Sequence, residues 1–494
     1  MTTTFPRSSP SALGIDAGGV LAFVRALETT PDVEPHSLML LRHGQVVAEG
    51  WWAPYRADRV HLLYSLSKSF TAAAVGIAVG EGLVDLDATV LSYFPELDAD
   101  ITDERSRRIL VRHVLAMASG HSSETVERAR ELDPDNLVRG FLLLPPDEEP
   151  GTVFAYNQPC TYSLGAIVRR VSGGSLLDYL RPRLLGPLGI DDVAWVRDDT
   201  GAELGFSGLH ATTSAIAALG QLYLQRGVWD GTRILSEEWV EAATQLQVRN
   251  DDEENPDWSQ GYGFQFWMAR HGFRGDGAYG QFCVMLPGLD VVLAMTGQSI
   301  DMQAVLDAAW EHLLPAIGDG PVSAGPDSAG PDSEPDSEPD SASSDDVALA
   351  SALADLALPA VAGGPLDALV VGARLDPGDD NAVSSLTAVE ISRVVSDEAP
   401  GPDGVVRIAL VEGTTRLEVE VGEGRWSVDG PLGASGALDS ASGTVVVDVR
   451  FLDTPHLLHV RCAIDATSGG GTFAARWATE PLHSDLAHLR RPTD

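Results

Sequence analysis

Between Gly318 and Asp346 the chain runs through two copies of Ala-Gly-Pro-Asp-Ser and then two of Glu-Pro-Asp-Ser, with nine acids and no base. Such a run has nothing apolar to bury and repels itself, so it cannot join a core and reads as a disordered linker. It divides the chain into residues 1–317 and 347–494, and the two parts carry different periodicities. The full 494 residues suffice for two to three domains' worth of core.

Ahead of the linker, strand and helix patterns mix. Leu38–Leu41 and Gln45–Trp52 flank His43-Gly44, a hairpin signal. Ser65–Val79 is alanine-rich and apolar nearly all round, which predicts a buried central helix. Further helices are expected near 106–118, 160–172, 175–185, 212–226 and 236–245. Tyr262–Ala269, Gln281–Leu286 and Val291–Thr296 read as adjacent antiparallel strands between Gly and Pro turns, followed by an amphipathic helix near Met302–Leu314. Helices beside an antiparallel sheet built from both ends of the segment make an α+β architecture. After the linker the pattern is nearly all β: short alternating runs such as TRLEVEVG and TVVVDVRFLD recur between Gly, Asp and Ser turns, as in a small barrel or sandwich.

A formal charge of −39 argues against nucleic-acid or anionic-membrane partners, because phosphates would be repelled. The acidity is not confined to the linker, since removing its nine acids leaves about −30 (−39 plus 9). Cys160, Cys283 and Cys462 are sparse, odd in number and far apart, which fits a reducing compartment. The first residues lack the apolar core of a signal peptide and no run reaches eighteen apolar residues, so a cytoplasmic protein is expected.

Chemistry concentrates around Lys68, the one lysine among 33 basic side chains. Arginine stays protonated in proteins, whereas a buried lysine can become a neutral amine. Lys68 follows Ser65 by three residues at the head of the apolar helix. The helix dipole and neighbouring N–H groups there favour a developing alkoxide, and burial lowers the lysine pKa toward that of a useful base. With 38 serines in the chain, the spacing alone carries little weight. Ser-x-x-Lys at a helix start is, however, the nucleophile-and-base arrangement of penicillin-recognising hydrolases.

A second motif, Phe154-Ala155-Tyr156-Asn157-Gln158, opens the next helix. Together the two motifs resemble those of the serine β-lactamase and penicillin-binding-protein-like hydrolases of class C type, in the branch that holds esterases and 6-aminohexanoate-dimer hydrolase. The resemblance covers about residues 15–317. It implies a β-lactamase/transpeptidase-like domain with a helical subdomain, followed by a small all-β barrel-like accessory domain. It implies Ser65 as nucleophile, with Lys68 and Tyr156 as general base and acid. The family's Tyr-x-Asn places Gln158 on the asparagine, one methylene longer, as a holder of substrate or lysine. The family's third motif is Lys-Thr-Gly or a variant, and a chain with no second lysine cannot carry Lys-Thr-Gly. Its place falls on Arg274-Gly275-Asp276-Gly277-Ala278, where the Ala278 N–H would complete an oxyanion hole, Gly277 would let backbone approach substrate, and Asp276 and Arg274 would orient it. An Asp-Gly turn at a strand edge is the other reading of these residues. Met117-Ala118-Ser119-Gly120-His121 and Gly208-Leu209-His210 add to the likeness.

Gly-x-Ser-x-Gly, His-Glu-x-x-His and glycine-rich phosphate loops do not occur, so no metal or cofactor is expected. The expectation is a serine hydrolase for a small ester or amide. A catalytically weak binding or sensor module and an acyltransferase are the alternatives on the same scaffold.

Overall fold

A computed structural model describes residues 5–318, 343–366, 372–394, 405–465, 470–483 and 485–493. Most of the expected linker, 319–342, lies outside the described residues. The chain divides into two compact units, Met1–Gly50 with Leu63–Ala354, and Trp51–Leu62 with Asp355–Asp494.

In the first unit, α1 (Ala17–Thr29) starts where the Asp16 carboxylate accepts the Gly18 N–H at 2.9 Å. Strands β1 (Pro35–Arg42) and β2 (Gln45–Trp51) are joined by His43 and Gly44, with φ of 52° and 72°. Both are left-handed, as the tightest hairpin turns require. From the far end of the unit come β3 (Trp267–Ala269), β4 (Gly272–Gly277), β5 (Gln281–Leu286) and β6 (Val291–Gly297). The sheet order is β2-β1-β6-β5-β4-β3, with β1 antiparallel to β6 from Leu38↔Met295 to Arg42↔Val291. The two ends of the unit therefore meet in mid-sheet. All residues of β1, β5 and β6 are buried, the mark of strands covered on both faces.

Helix α2 (Ser67–Gly80) is buried from Ser67 to Ala78, so its alanines and Gly76 admit neighbours on every side. Helix α3 (Gln158–Ser172) packs beside it, and α4 (Thr213–Leu224) lies on the sheet where a Cβ at Gly220 would come within 2.8 Å of Cys283 and Val292. Helices α5 (Met302–Ala308) and α6 (Ser344–Ala354) pack against α1. Asp346 accepts hydrogen bonds from the Ser11 N–H and hydroxyl, and α6 belongs to this unit, where composition reads linker and tail.

The second unit holds β7 (Ala373–Pro377), β8 (Ala388–Val394), β9 (Val405–Glu412), β10 (Thr415–Glu420), β11 (Ser427–Asp429), β12 (Leu432–Asp439), β13 (Thr444–Phe451), β14 (Leu457–Ile464) and β15 (Gly471–Trp477). Their order is β10-β9-β8-β7-β15-β14-β13-β12-β11. A bridge from Gly422, just past β10, to Ser435 in β12 brings the ends together, so the sheet is a nearly closed barrel. Its interior holds Leu375, Val389, Ile408, Val447, Val460 and Phe473, which alternate along their strands with outward residues. Residues 51–62 belong to this unit through Ala53, which accepts from Leu358 at 2.8 Å and donates to Leu356 at 3.0 Å, and through the Leu62 N–H on Asp453 O at 2.8 Å.

Two local expectations differ from the structure. Only Trp267–Ala269 of the expected strand 262–269 pairs in the sheet; Tyr262, Phe264 and Phe266 are apolar because they pack as a buried aromatic cluster. Conversely, Gly272–Gly277 reads as a loop by composition yet forms β4, its glycines required by close neighbours.

Candidate active site

The start of α2 is built on strain. Tyr64 has φ 47°, an uncommon conformation for a bulky residue, and its ring meets that of Tyr279 edge-on at 5.5 Å. The Ser67 hydroxyl donates to Tyr64 O at 2.5 Å and accepts the Leu209 N–H at 3.0 Å. A short 3-10 turn, Tyr64–Leu66, leads into α2, leaving Ser65 half-buried between buried Tyr64 and Leu66.

Strand β4 lies against this turn. A Cβ on Gly277 would overlap the Leu63 carbonyl oxygen, and one on Gly275 would stand 2.5 Å from the Ser69 hydroxyl. Only glycine permits that approach. It brings Asp276 and Ala278 to the cavity that Ser65 also lines.

Lys68 is 1% exposed, and its Nζ lies 3.0 Å from Ser65 Oγ, 2.8 Å from Phe206 O and 4.6 Å from the centre of the Tyr156 ring. Burial drives its pKa from 10.5 to about 7, against the pull of Glu124 and Asp276. That lowering costs the ammonium about 5 kcal/mol relative to water. A neutral amine has two N–H donors and one lone pair, so with one N–H on Phe206 O the lone pair is available to the Ser65 hydroxyl.

Tyr156 stands at the loop–helix junction before α3. Its ring stacks on Trp267 at 5.3 Å and 18°, and it lines the same cavity as Ser65. Burial and the nearby Asp276 carboxylate hold the phenol well above its ordinary pKa, so at neutral pH it keeps its proton. Asn157 clamps the junction from below: fully buried, it accepts both the Thr125 N–H (3.1 Å) and hydroxyl (2.9 Å). The loop 117–120 supports it too, since Met117 O accepts the Ala155 N–H at 3.0 Å.

The cavity holds about 400 Å³ and is lined by Ser65, Tyr156, Trp258, Trp267, Asp276 and Ala278, with Glu253, Asn255, Ile300, Asp301, Met302 and Gln303 around them. Arg274 is wholly buried, donates to Asp276 at 3.1 Å and to Asp257 O at 2.7 Å, and lies 4.2 Å over the Trp258 ring. Burial raises the Asp276 pKa, opposed by Arg274 and Lys68. Asp257 fixes the wall that carries Trp258: its carboxylate accepts from Arg270, Gln303 and the Trp310 indole.

Ser65, Lys68, Tyr156, Asp276, Gly277 and Ala278 thus come together. Gln158 does not line the cavity. It is the first residue of α3, and its N–H donates to Glu124 at 3.0 Å. Composition and motif reasoning passed over Trp258, Trp267 and Phe206. Trp267 begins β3 and Trp258 stands in the loop before it; Phe206 contributes a backbone carbonyl, for which sequence holds no signal.

Comparison with known proteins matches residues 23–313 to the family model described as beta-lactamase. The 6-aminohexanoate-dimer hydrolase of Paenarthrobacter ureafaciens is 29% identical over 282 residues, covering 52% of this chain and 71% of that protein. The lovastatin esterase of Penicillium rubens is 29% identical over 230 residues, 41% of this chain and 55% of that protein, so the chain spans little more than half of its length. Among solved structures, EstCE1, described as a hydrolase with promiscuous acyltransferase activity, superposes with a TM-score of 0.50 at 17% identity, over 60% of this chain and 99% of its own.

Proposed function

The chain belongs to the beta-lactamase family of serine hydrolases, and we propose that it hydrolyses a small ester or amide through an acyl-enzyme on Ser65. The observation that carries this reading is the 3.0 Å approach of a buried Lys68 amine, its pKa lowered to about 7, to the Ser65 hydroxyl.

Lys68 takes the Ser65 proton as Oγ attacks the carbonyl carbon. Ser65 N–H and Ala278 N–H hold the oxyanion, a role supported by the glycine-permitted approach of β4 to the head of α2. Tyr156, protonated and lining the same cavity as Ser65, relays the proton from Lys68 to the departing alcohol or amine. Water then attacks the acyl group by the same route in reverse. Two easier displacements replace one hard one.

Intact-mass spectrometry after exposure to a fluorophosphonate tests this assignment. One adduct per chain, absent in Ser65→Ala, is expected together with turnover of short p-nitrophenyl esters. Full turnover by Ser65→Ala would remove the nucleophile and the proposal with it. An acceptor other than water would turn the same intermediate into an acyl transfer, which added alcohols and product analysis detect.

A further inference from the structure

The cavity around Ser65 is lined by three carboxylates, Glu253, Asp276 and Asp301, and by no arginine, lysine or histidine. Asp276 is offset by the buried Arg274. Glu253 and Asp301 stand at the exposed rim, and among the described residues neither forms an ion pair; Asp301 turns one oxygen to the Ala304 N–H at 2.9 Å. Trp258, Trp267 and Tyr156 also line this space, Trp258 with the Arg274 guanidinium 4.2 Å over its ring and Tyr156 stacked on Trp267, so aromatic surface stands beside the carboxylates. Aromatic faces with carboxylates at their edge attract a weakly hydrated cation and repel an anion, and a low-dielectric wall sharpens both effects.

From this lining we propose that the substrate carries an ammonium group, seated between the indoles of Trp258 and Trp267 and the rim carboxylates Glu253 and Asp301. The proposal rests on the hydrolase reading of the same cavity, because it assigns the group to the molecule whose acyl bond faces Ser65. A substrate bearing a carboxylate in that place is disfavoured by the same charges.

A matched set of probes separates the two claims. p-Nitrophenyl 4-(trimethylammonio)butanoate and p-nitrophenyl 5,5-dimethylhexanoate share shape and differ in charge, and the p-nitrophenyl monoester of adipic acid supplies the anion. Equilibrium binding to Ser65→Ala by tryptophan fluorescence, at low ionic strength, reads recognition without turnover. The cation is expected to bind about tenfold more tightly than its neutral isostere, and the anion more weakly than either. The paired substitution Glu253→Gln and Asp301→Asn, which keeps an amide oxygen able to cap α5, is expected to reduce that preference several-fold. Equal binding of cation and isostere, or a preference unchanged in the paired variant, overturns the inference even if the wild-type protein hydrolyses all three esters. Selective binding with no hydrolysis of any ester by the wild type would leave the ammonium site standing and defeat the hydrolase reading instead.

Discussion

Burial of Lys68 carries an electrostatic cost with a sign that experiment can read. In the folded protein it titrates near 7, in the unfolded chain near its ordinary 10.5. Between those values the unfolded state binds more protons, so stability rises with pH across that window and the full penalty is present below about 7. Replacing the amine with a similar apolar chain, Lys68→Met, is therefore expected to abolish hydrolysis while raising stability at pH 7 by about 1–3 kcal/mol, measured by denaturant unfolding. A lowered midpoint would mean that the contacts to Phe206 O and Ser65 outweigh the buried charge. Tyr156→Phe tests the relay: it keeps the stack on Trp267 but removes the hydroxyl, and kcat is expected to fall about 10²–10⁴-fold with binding of substrate little changed. Asp257 follows the opposite rule from Lys68. Burial would raise its pKa, but hydrogen bonds from Arg270, Gln303 and Trp310 hold it at about 2. Its contribution to stability is full above the ordinary carboxylate value of 3.8 and is lost as pH falls through about 2, so Asp257→Asn is expected to flatten acid unfolding in that window.

At the scale of elements, the meeting of β4 with the head of α2 decides whether there is a site at all. Gly277→Ala would drive a methyl group into the Leu63 carbonyl, and is expected to cost about 2–3 kcal/mol in thermal or denaturant unfolding and most of the activity. This junction also marks the edge of what sequence reveals. Ser65, Lys68 and Tyr156 were legible because chemistry demands particular side chains at fixed spacing on helix starts. Asp276, Gly277 and Ala278 were legible as a place, through the family resemblance, though as a loop and not as the strand β4. The strand escaped because its glycines answer to a neighbour more than 200 positions earlier, and no local pattern records that. Gln158 opens α3, where its backbone N–H donates to Glu124. The aromatic run 262–266 imitates a strand because burial, not pairing, selects its residues.

For the whole molecule, the division into two units does not follow the order of the chain. Composition separates 1–317 from 347–494, yet Trp51–Leu62 belongs with the barrel and Ser344–Ala354 with the catalytic fold. A backbone segment enters another unit only where its hydrogen bonds are met there, and that is a property of folded neighbours invisible to composition. Truncation after Ala354 would remove Leu356, Leu358 and Asp453, the hydrogen-bond partners of Ala53 and Leu62. Such a fragment is expected to lose soluble yield or melt at markedly lower temperature than the full chain by scanning fluorimetry; an unchanged melting temperature would show that the barrel is dispensable. Among the described residues no helix is long and apolar enough to cross a membrane.

The direct test of the central claim is the rate at which a fluorophosphonate labels Ser65 as a function of pH. If the Lys68 amine is the base, that rate rises through a midpoint of about 7 and levels off above it, and Lys68→Ala labels slowly with no such midpoint. A rate that is flat from acid to alkaline pH, or a midpoint that survives in Lys68→Ala, would contradict the account.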